Sequence, residues 1–243
     1  NKEHYAATPM GPLVTEFGAQ AIPQLSSLKK FLSQNDLEKP NWDKWKYHNF
    51  QYEQTFQIAG VNRGKSIQEF IKNSQEYQAD VIRTAIDFYR RKRFNGINGV
   101  FQFMLIDCWP SITWSVVDYY YQKKPGYTAL QRVFQPLYVS VRVRQKKYFA
   151  GSKLLIDLWI INDLHRSFKN CTLNFILDEK LIHEIKLGTI EPDSIRFIDY
   201  ESIQIELPKK MKTGKHQFSL TLITDNRSPV ENNFIIEIER QLK

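Results

Sequence analysis

The sequence is short of the residues that staple small folds or hold metals. Only two cysteines occur, Cys108 and Cys171, too few for a disulfide framework. Cys108 sits in an apolar, strand-like segment, where a buried free thiol is the common outcome. The five histidines, at 4, 48, 165, 183 and 216, show no metal-ligand spacing. Neither HExxH nor CxxC is present, so no metal site is expected. There is no P-loop and no GxGxxG, hence no phosphate-cradling loop and no implied organic cofactor. No run of about 18 apolar residues occurs, which excludes a membrane-spanning helix of that kind. The opening residues, "NKEHYAATPM", lack both the apolar core of a signal peptide and an initiator Met. A processed chain and a piece of a longer protein would both start this way, so no compartment is assigned.

Charge of one sign is not concentrated anywhere. The net +8 divides into +5 for residues 1–137 (17 Lys+Arg less 12 Asp+Glu) and +3 for residues 138–243 (17 less 14). The densest run, "RRKR" at 90–93, closes a helical pattern, where cations favour the negative end of the helix dipole. A solvated helix end is expected there, and no nucleic-acid partner.

What is present is a chain of two textures, 243 residues long with 42% hydrophobic content, enough to bury a core. Residues 12–17 read as a short strand buried on both faces. "PQLSSLKKFLS" (23–33) has helical spacing. Residues 34–63 are polar and aromatic, with Trp42, Trp45, Tyr47 and His48, and read as a long loop. From Ser66 to about Phe94 the apolar positions 67, 70, 71, 77, 81, 82, 85, 86 and 89 mark one face of a long amphipathic helix. "GVFQFMLIDCW" (99–109) is nearly continuous in apolar residues, as a strand covered on both sides should be. "GYTALQRVF" (126–134) is helical again, between Pro125 and Pro136. Apolar strands alternating with helices predict a parallel sheet. After a boundary near 137, about seven alternating runs separated by turn clusters predict an immunoglobulin-like antiparallel β-sandwich over 138–243. Asn170-Cys-Thr and Asn226-Arg-Ser match the glycosylation acceptor pattern, a short match that arises often by chance.

Two places carry candidate chemistry. Glu16 ends the first apolar strand, where a carboxylate must be solvated, paired or placed to react; an N-cap or loop salt bridge is the alternative. Asp107 and Trp109 lie at the end of the second. In (β/α) barrels reactive groups stand at such strand ends, because the loops there form the open face. A tryptophan beside a carboxylate offers a flat apolar surface for a sugar ring, although a core tryptophan before a proline turn has the same local sequence.

"VTEFGAQAIP", "FQFMLIDCWPSITWSVVDYYYQKKPGYTAL" and "LWIIND", in this order, resemble the C-terminal part of glycoside hydrolase family 2, and its β-mannosidase-like members in particular. The resemblance implies that residues 1–137 are the last two strands and helices of a catalytic (β/α)8 barrel, followed by the sandwich. It implies that Glu16, in the Ser/Thr-Glu-Phe/Tyr-Gly motif, is the nucleophile of a retaining exo-β-glycosidase. Trp109 would line the subsite of the cleaved sugar, and Asp107 would touch a sugar hydroxyl. Trp114 reads as packing, and Asn162 and Asp163 as structural. The implied substrate is a β-linked oligosaccharide or glycoside, most of all a β-mannoside.

One departure is large. The family's acid/base stands in an Asn-Glu pair near the fourth barrel strand, and no Asn-Glu occurs in this sequence. The implied partner is therefore the remainder of the enzyme, the N-terminal domains with six further strands. Alone, the chain is expected to bind sugar weakly and to turn over nothing. The competing expectation is a non-catalytic carbohydrate-binding or scaffold module. Two parallel strands without neighbours leave pairing edges open, so those edges are expected to be covered.

Overall fold

The structure, a computed structural model, describes residues 11–145, 147–203, 205–225 and 227–240. It is mostly β with a few helices, and the chain divides into two units, Asn1–Phe134 and Gln135–Lys243.

In the first unit, β1 (Leu13–Phe17) and β2 (Gly99–Gln102) pair in parallel. Parallel neighbours need a long crossover. Here it contains α1 (Leu25–Leu28), α2 (Gln34–Glu38), α3 (Trp42–Tyr47), a π-helical turn (Gln54–Ile58) and the long α4 (Ile67–Arg91); α5 (Pro125–Val133) follows β2. Helix α4 starts where Ser66 Oγ accepts from the Glu69 amide, 3.2 Å, while the Glu69 carboxylate accepts from the Lys65 amide, 2.7 Å. Both bonds satisfy donors that a helix start leaves open. Its buried stripe includes the expected Phe70, Ile71, Val81, Ile82, Ala85, Ile86 and Tyr89.

The segment 34–63 is not a loop. Ser33 caps α2 and Asn41 caps α3. Trp42, Trp45, Phe50 and Phe56 then pack on one another and, through Trp45, Phe50 and Phe56, on Phe70 of α4. Aromatic burial outweighs the local polarity that suggested a loop. The "RRKR" run is not simply solvated either: Arg90 is buried and donates to the Val133 carbonyl oxygen, whereas Lys92 and Arg93 lie over the rings of Phe88 and Phe94.

Neither parallel strand is covered on both faces. Val14 and Phe17 are buried, but Leu13 is exposed, and so are Phe101 (59%), Phe103 and Leu105 (58%). The sheet has two strands among the described residues, so its second face and outer edges meet no other strand. The expected covering is missing there among the described residues, and Cys108, expected buried in a strand, lies beyond the end of β2 and is exposed.

The second unit has two sheets. β3 (Leu137–Val143), β5 (Ile156–Asn162) and β8 (Ser194–Ile198) form one, in the order β3-β5-β8. β4 (Lys147–Phe149), β6 (Phe168–Leu177), β7 (Lys180–Ile190), β9 (Gly214–Thr224) and β10 (Arg227–Glu239) form the other, in the order β4-β10-β9-β6-β7. Inward residues of both, such as Val139, Leu158, Ile160, Leu173, Phe175, Phe218, Leu220 and Ile236, belong to one core. Pairing is antiparallel except between β4 and β10. After Ile198 the chain leaves the ladder, yet Ile203, Ile205 and Leu207 still belong to the core. Asn162 is fully buried and donates to the carbonyls of Arg166, 2.9 Å, and Glu191, 2.7 Å. Of the two acceptor-pattern asparagines, Asn170 is exposed and Asn226 lies outside the described residues.

Candidate functional site

Glu16 owes its position to a fault in the β1–β2 ladder. Val14 pairs with Val100 and Phe17 with Gln102, so three steps on β1 match two on β2. Thr15 and Glu16 thus share the place opposite Phe101, a bulge that breaks the strand's alternation. Bulges re-aim side chains and gather beside active sites. Here Val14 and Phe17 both stay buried, Phe17 edge-on to Tyr89 of α4 at 5.6 Å, while Thr15 and Glu16 both face outward. Glu16 makes no hydrogen bond or ion pair with any described residue. Its carboxylate stands solvated on a backbone fixed from behind.

The rim beside it is tight. The Phe103 amide donates to the Phe17 carbonyl at 2.8 Å. A Cβ on Gly18 would stand 2.2 Å from the Phe103 carbonyl oxygen, so only glycine permits this approach. Beyond Phe103 the chain pairs back on itself, Val116 to Met104 and Val117 to Leu105, and delivers Asp107 inward. Asp107 is 3% exposed. Its Oδ1 accepts from Ser111 Oγ, 3.3 Å, and from Thr113 Oγ1, and its Oδ2 accepts from Ser115 Oγ, 2.7 Å. Such a carboxylate is spent on holding its loop together rather than turned toward a ligand. Beneath it, the fully buried Lys124 donates to Ser115 Oγ, 3.1 Å, and to the Ala21 carbonyl, 2.9 Å. Burial pushes its ammonium down to about 8, against the opposing pull of Asp107 and Asp118.

Trp109 is 36% exposed, not a core residue. Its indole stacks on the His48 ring, with centroids 5.6 Å apart and planes at 24°, and Tyr47 stands edge-on to both. His48 Nδ1 lies 2.8 Å from the Pro110 carbonyl oxygen, and the Ile112 amide donates to the His48 carbonyl, 2.7 Å. Gln20, four residues after Glu16, ties the two segments to β1. Its Nε2 donates to the carbonyls of Asn49 and Ile112, both at 2.9 Å, and its Oε1 accepts from the Gln51 amide at 2.9 Å. Gln78 of α4 adds a second clamp, donating to the carbonyls of Ala19, Trp114 and Ser115.

No protein-family model matches the chain. Among curated proteins it is 25% identical over 199 residues to β-mannosidase B of Aspergillus terreus, and 30% identical over 170 residues to that of Aspergillus niger. These matches take in 76% and 64% of this chain. Among solved structures, a β-D-mannosidase from Dictyoglomus thermophilum superposes with a TM-score of 0.74 at 21% identity, over 100% of this chain. The chain is thus similar to β-mannosidases, the kind of enzyme that the resemblance to glycoside hydrolase family 2 implied. It spans 23% and 20% of the two curated relatives' length and 29% of that solved chain. An exo-chitosanase from Amycolatopsis orientalis shares the fold more loosely, with a TM-score of 0.62 at 16% identity over 93% of this chain and 27% of its own.

Gln20 thus ties the segments around Asn49–Gln51 and Ile112 to the chain that follows β1, and three hydroxyls enclose Asp107. Trp114 is half-buried, with its ring 6.2 Å from that of Phe103. Sequence patterns gave no warning of Gln20, Tyr47, His48 or Lys124. Among the described residues no group of three or more His, Cys, Asp or Glu could hold a metal, and no helix is long and apolar enough to cross a membrane. A cavity of about 170 Å³ beside Gly18, Gln20 and Trp114 is smaller than ordinary ligand pockets. A roomier one, about 490 Å³, opens at the start of α4 and contains neither Glu16 nor Trp109.

Proposed function

We propose that this chain carries the nucleophile of a retaining glycosidase acting on terminal β-linked sugars, β-mannosides first among them. The observation that carries this is Glu16: a carboxylate without a partner among the described residues, set outward by a bulge at the end of a parallel strand. Held rigidly, Glu16 loses little freedom on reaching the anomeric carbon. Its oxygen would form a bond to C1 as the C1–O bond to the leaving group breaks, giving a covalent glycosyl-enzyme. Water would then release the sugar with retained configuration. The chemistry needs no organic cofactor, but it needs a second carboxyl group about 5–5.5 Å away to protonate the leaving oxygen.

Asp107 is a poor candidate for that acid, since three hydroxyls already claim it. The acid/base is therefore assigned to sequence outside this chain, within the larger part of its relatives' length that the chain does not span. The open apolar face at Leu13, Phe101, Phe103 and Leu105 supports the same view, with these two strands as the end of a (β/α)8 barrel and the two-sheet unit as an immunoglobulin-like sandwich that follows it in sequence. The proposed partner is thus the rest of the enzyme, with neither nucleic acid nor membrane involved. Trp109 would be part of the sugar wall, and Asp107 a positioning residue for the loop that bears it.

The test is Glu16→Gln in the full-length protein, assayed on nitrophenyl β-mannoside and β-glucosaminide. Turnover should fall by at least about a thousandfold with an unchanged melting temperature. Near-normal turnover would leave the chain a carbohydrate-binding or scaffold module.

A further inference from the structure

The two aromatic residues that accompany Trp109 come from a segment about 60 positions away, and neither is needed to fill a core. Tyr47 is 74% exposed at the end of α3. His48 is half-buried in a stack, between Phe31 at 4.5 Å and Trp109 at 5.6 Å. A carbonyl oxygen can only accept, so the 2.8 Å contact with Pro110 puts the proton on His48 Nδ1. In the neutral ring this leaves Nε2 with a lone pair. Among the described residues Nε2 has no hydrogen-bond partner, nor is it among the side-chain atoms buried without one.

Two exposed rings meeting at nearly a right angle, Tyr47 against Trp109 at 88°, with one outward acceptor beside them, make a chemically specific surface. The ring faces suit the C–H side of a pyranose, and the acceptor suits one of its hydroxyls. We propose that Tyr47 and His48 complete the sugar wall begun by Trp109. In this arrangement His48 orders the indole and accepts a hydroxyl proton at Nε2, and Tyr47 closes the outer edge. Both are specificity-determining residues rather than members of the reacting pair. The inference rests on the glycosidase reading and names residues of that same site.

Two variants of the full-length protein test it. His48→Phe keeps a ring in the stack and removes Nε2; Tyr47→Ala removes a ring that is mostly in solvent and leaves the core untouched. Each is read twice: as KM and kcat on nitrophenyl β-mannoside, and as the Kd of β-mannobiose by calorimetry in a Glu16→Gln background. Loss of one hydrogen bond or one ring contact should raise KM and Kd by about three- to tenfold, with kcat within about twofold. KM and Kd unchanged in both variants would overturn the proposal, and so would a Glu16→Gln protein that binds neither β-mannobiose nor nitrophenyl β-glucosaminide. Failure of the nucleophile assignment appears elsewhere, as turnover surviving in Glu16→Gln, and leaves the Kd comparison valid.

Discussion

The two units solve the problem of burial in opposite ways. In the second, each of two sheets supplies the other's missing cover, and fully buried Leu158, Phe175, Phe218 and Ile236 come from both. In the first, helix α4 covers one side of a two-stranded sheet and nothing among the described residues covers the other, so Leu13, Phe101, Phe103 and Leu105 stay in solvent. A large exposed apolar surface marks an interaction site far more often than an accident. The second unit closes around itself; the first is shaped for something further, and it is the unit that carries Glu16.

That contrast can be broken by mutation. The largest stability effect should come from Phe218→Ala, which removes a fully buried ring stacked on Phe234 at 4.9 Å and edge-on to Phe175 at 6.4 Å. A loss of about 3–5 kcal/mol is expected from calorimetry, and a loss below about 1 kcal/mol would show that the two sheets do not depend on their shared core. Next comes Lys124, the buried cation of the first unit. Its folded value of about 8 lies below the ordinary lysine value of 10.5, so between those two pH values the unfolded chain holds the proton that the folded chain has lost. Stability contributed by this group therefore rises as pH increases from about 8 to 10.5, by up to about 3 kcal/mol. Urea titrations of wild type and Lys124→Met, followed by the fluorescence of Trp42, Trp45, Trp109 and Trp114, should diverge by that amount over this window. Parallel curves would show that Lys124 keeps its proton in the folded chain up to its ordinary range, and would count against the lowered value. The smallest effect belongs to Phe101→Ser. Being mostly in solvent, it should shift the chain's stability by no more than about 0.5 kcal/mol, while reducing self-association in sedimentation experiments. A loss of several kcal/mol would mean that the open face is already covered.

Much of this was legible because it is periodic. The 3.6-residue spacing of Phe70, Ile71, Val81, Ile82, Ala85, Ile86 and Tyr89 locates α4, and the alternation of Leu173, Phe175 and Leu177 locates β6. Glu16 was visible as a carboxylate at the end of an apolar run. The bulge that turns it outward was not, since an extra residue in one strand is defined only by its partner. Nor could the aperiodic segment 34–63 disclose that its aromatic residues would assemble around Phe70, or that Tyr47 and His48 would meet Trp109. Asp107 was misleading for the same reason: three hydroxyls within eight residues of it turn a candidate sugar contact into a loop fastening.

By itself the sequence determined the long periodic elements, such as α4 and β6, because side-chain periodicity is a local property that burial on one face reads directly. It also determined the motif around Glu16, and with it the resemblance to glycoside hydrolase family 2. Only the tertiary structure decided which polar groups remain free to act. Hydrogen-bond partners are chosen by proximity in space, and Lys124 and Gln20 found theirs up to about a hundred residues away, while the Glu16 side chain found none among the described residues.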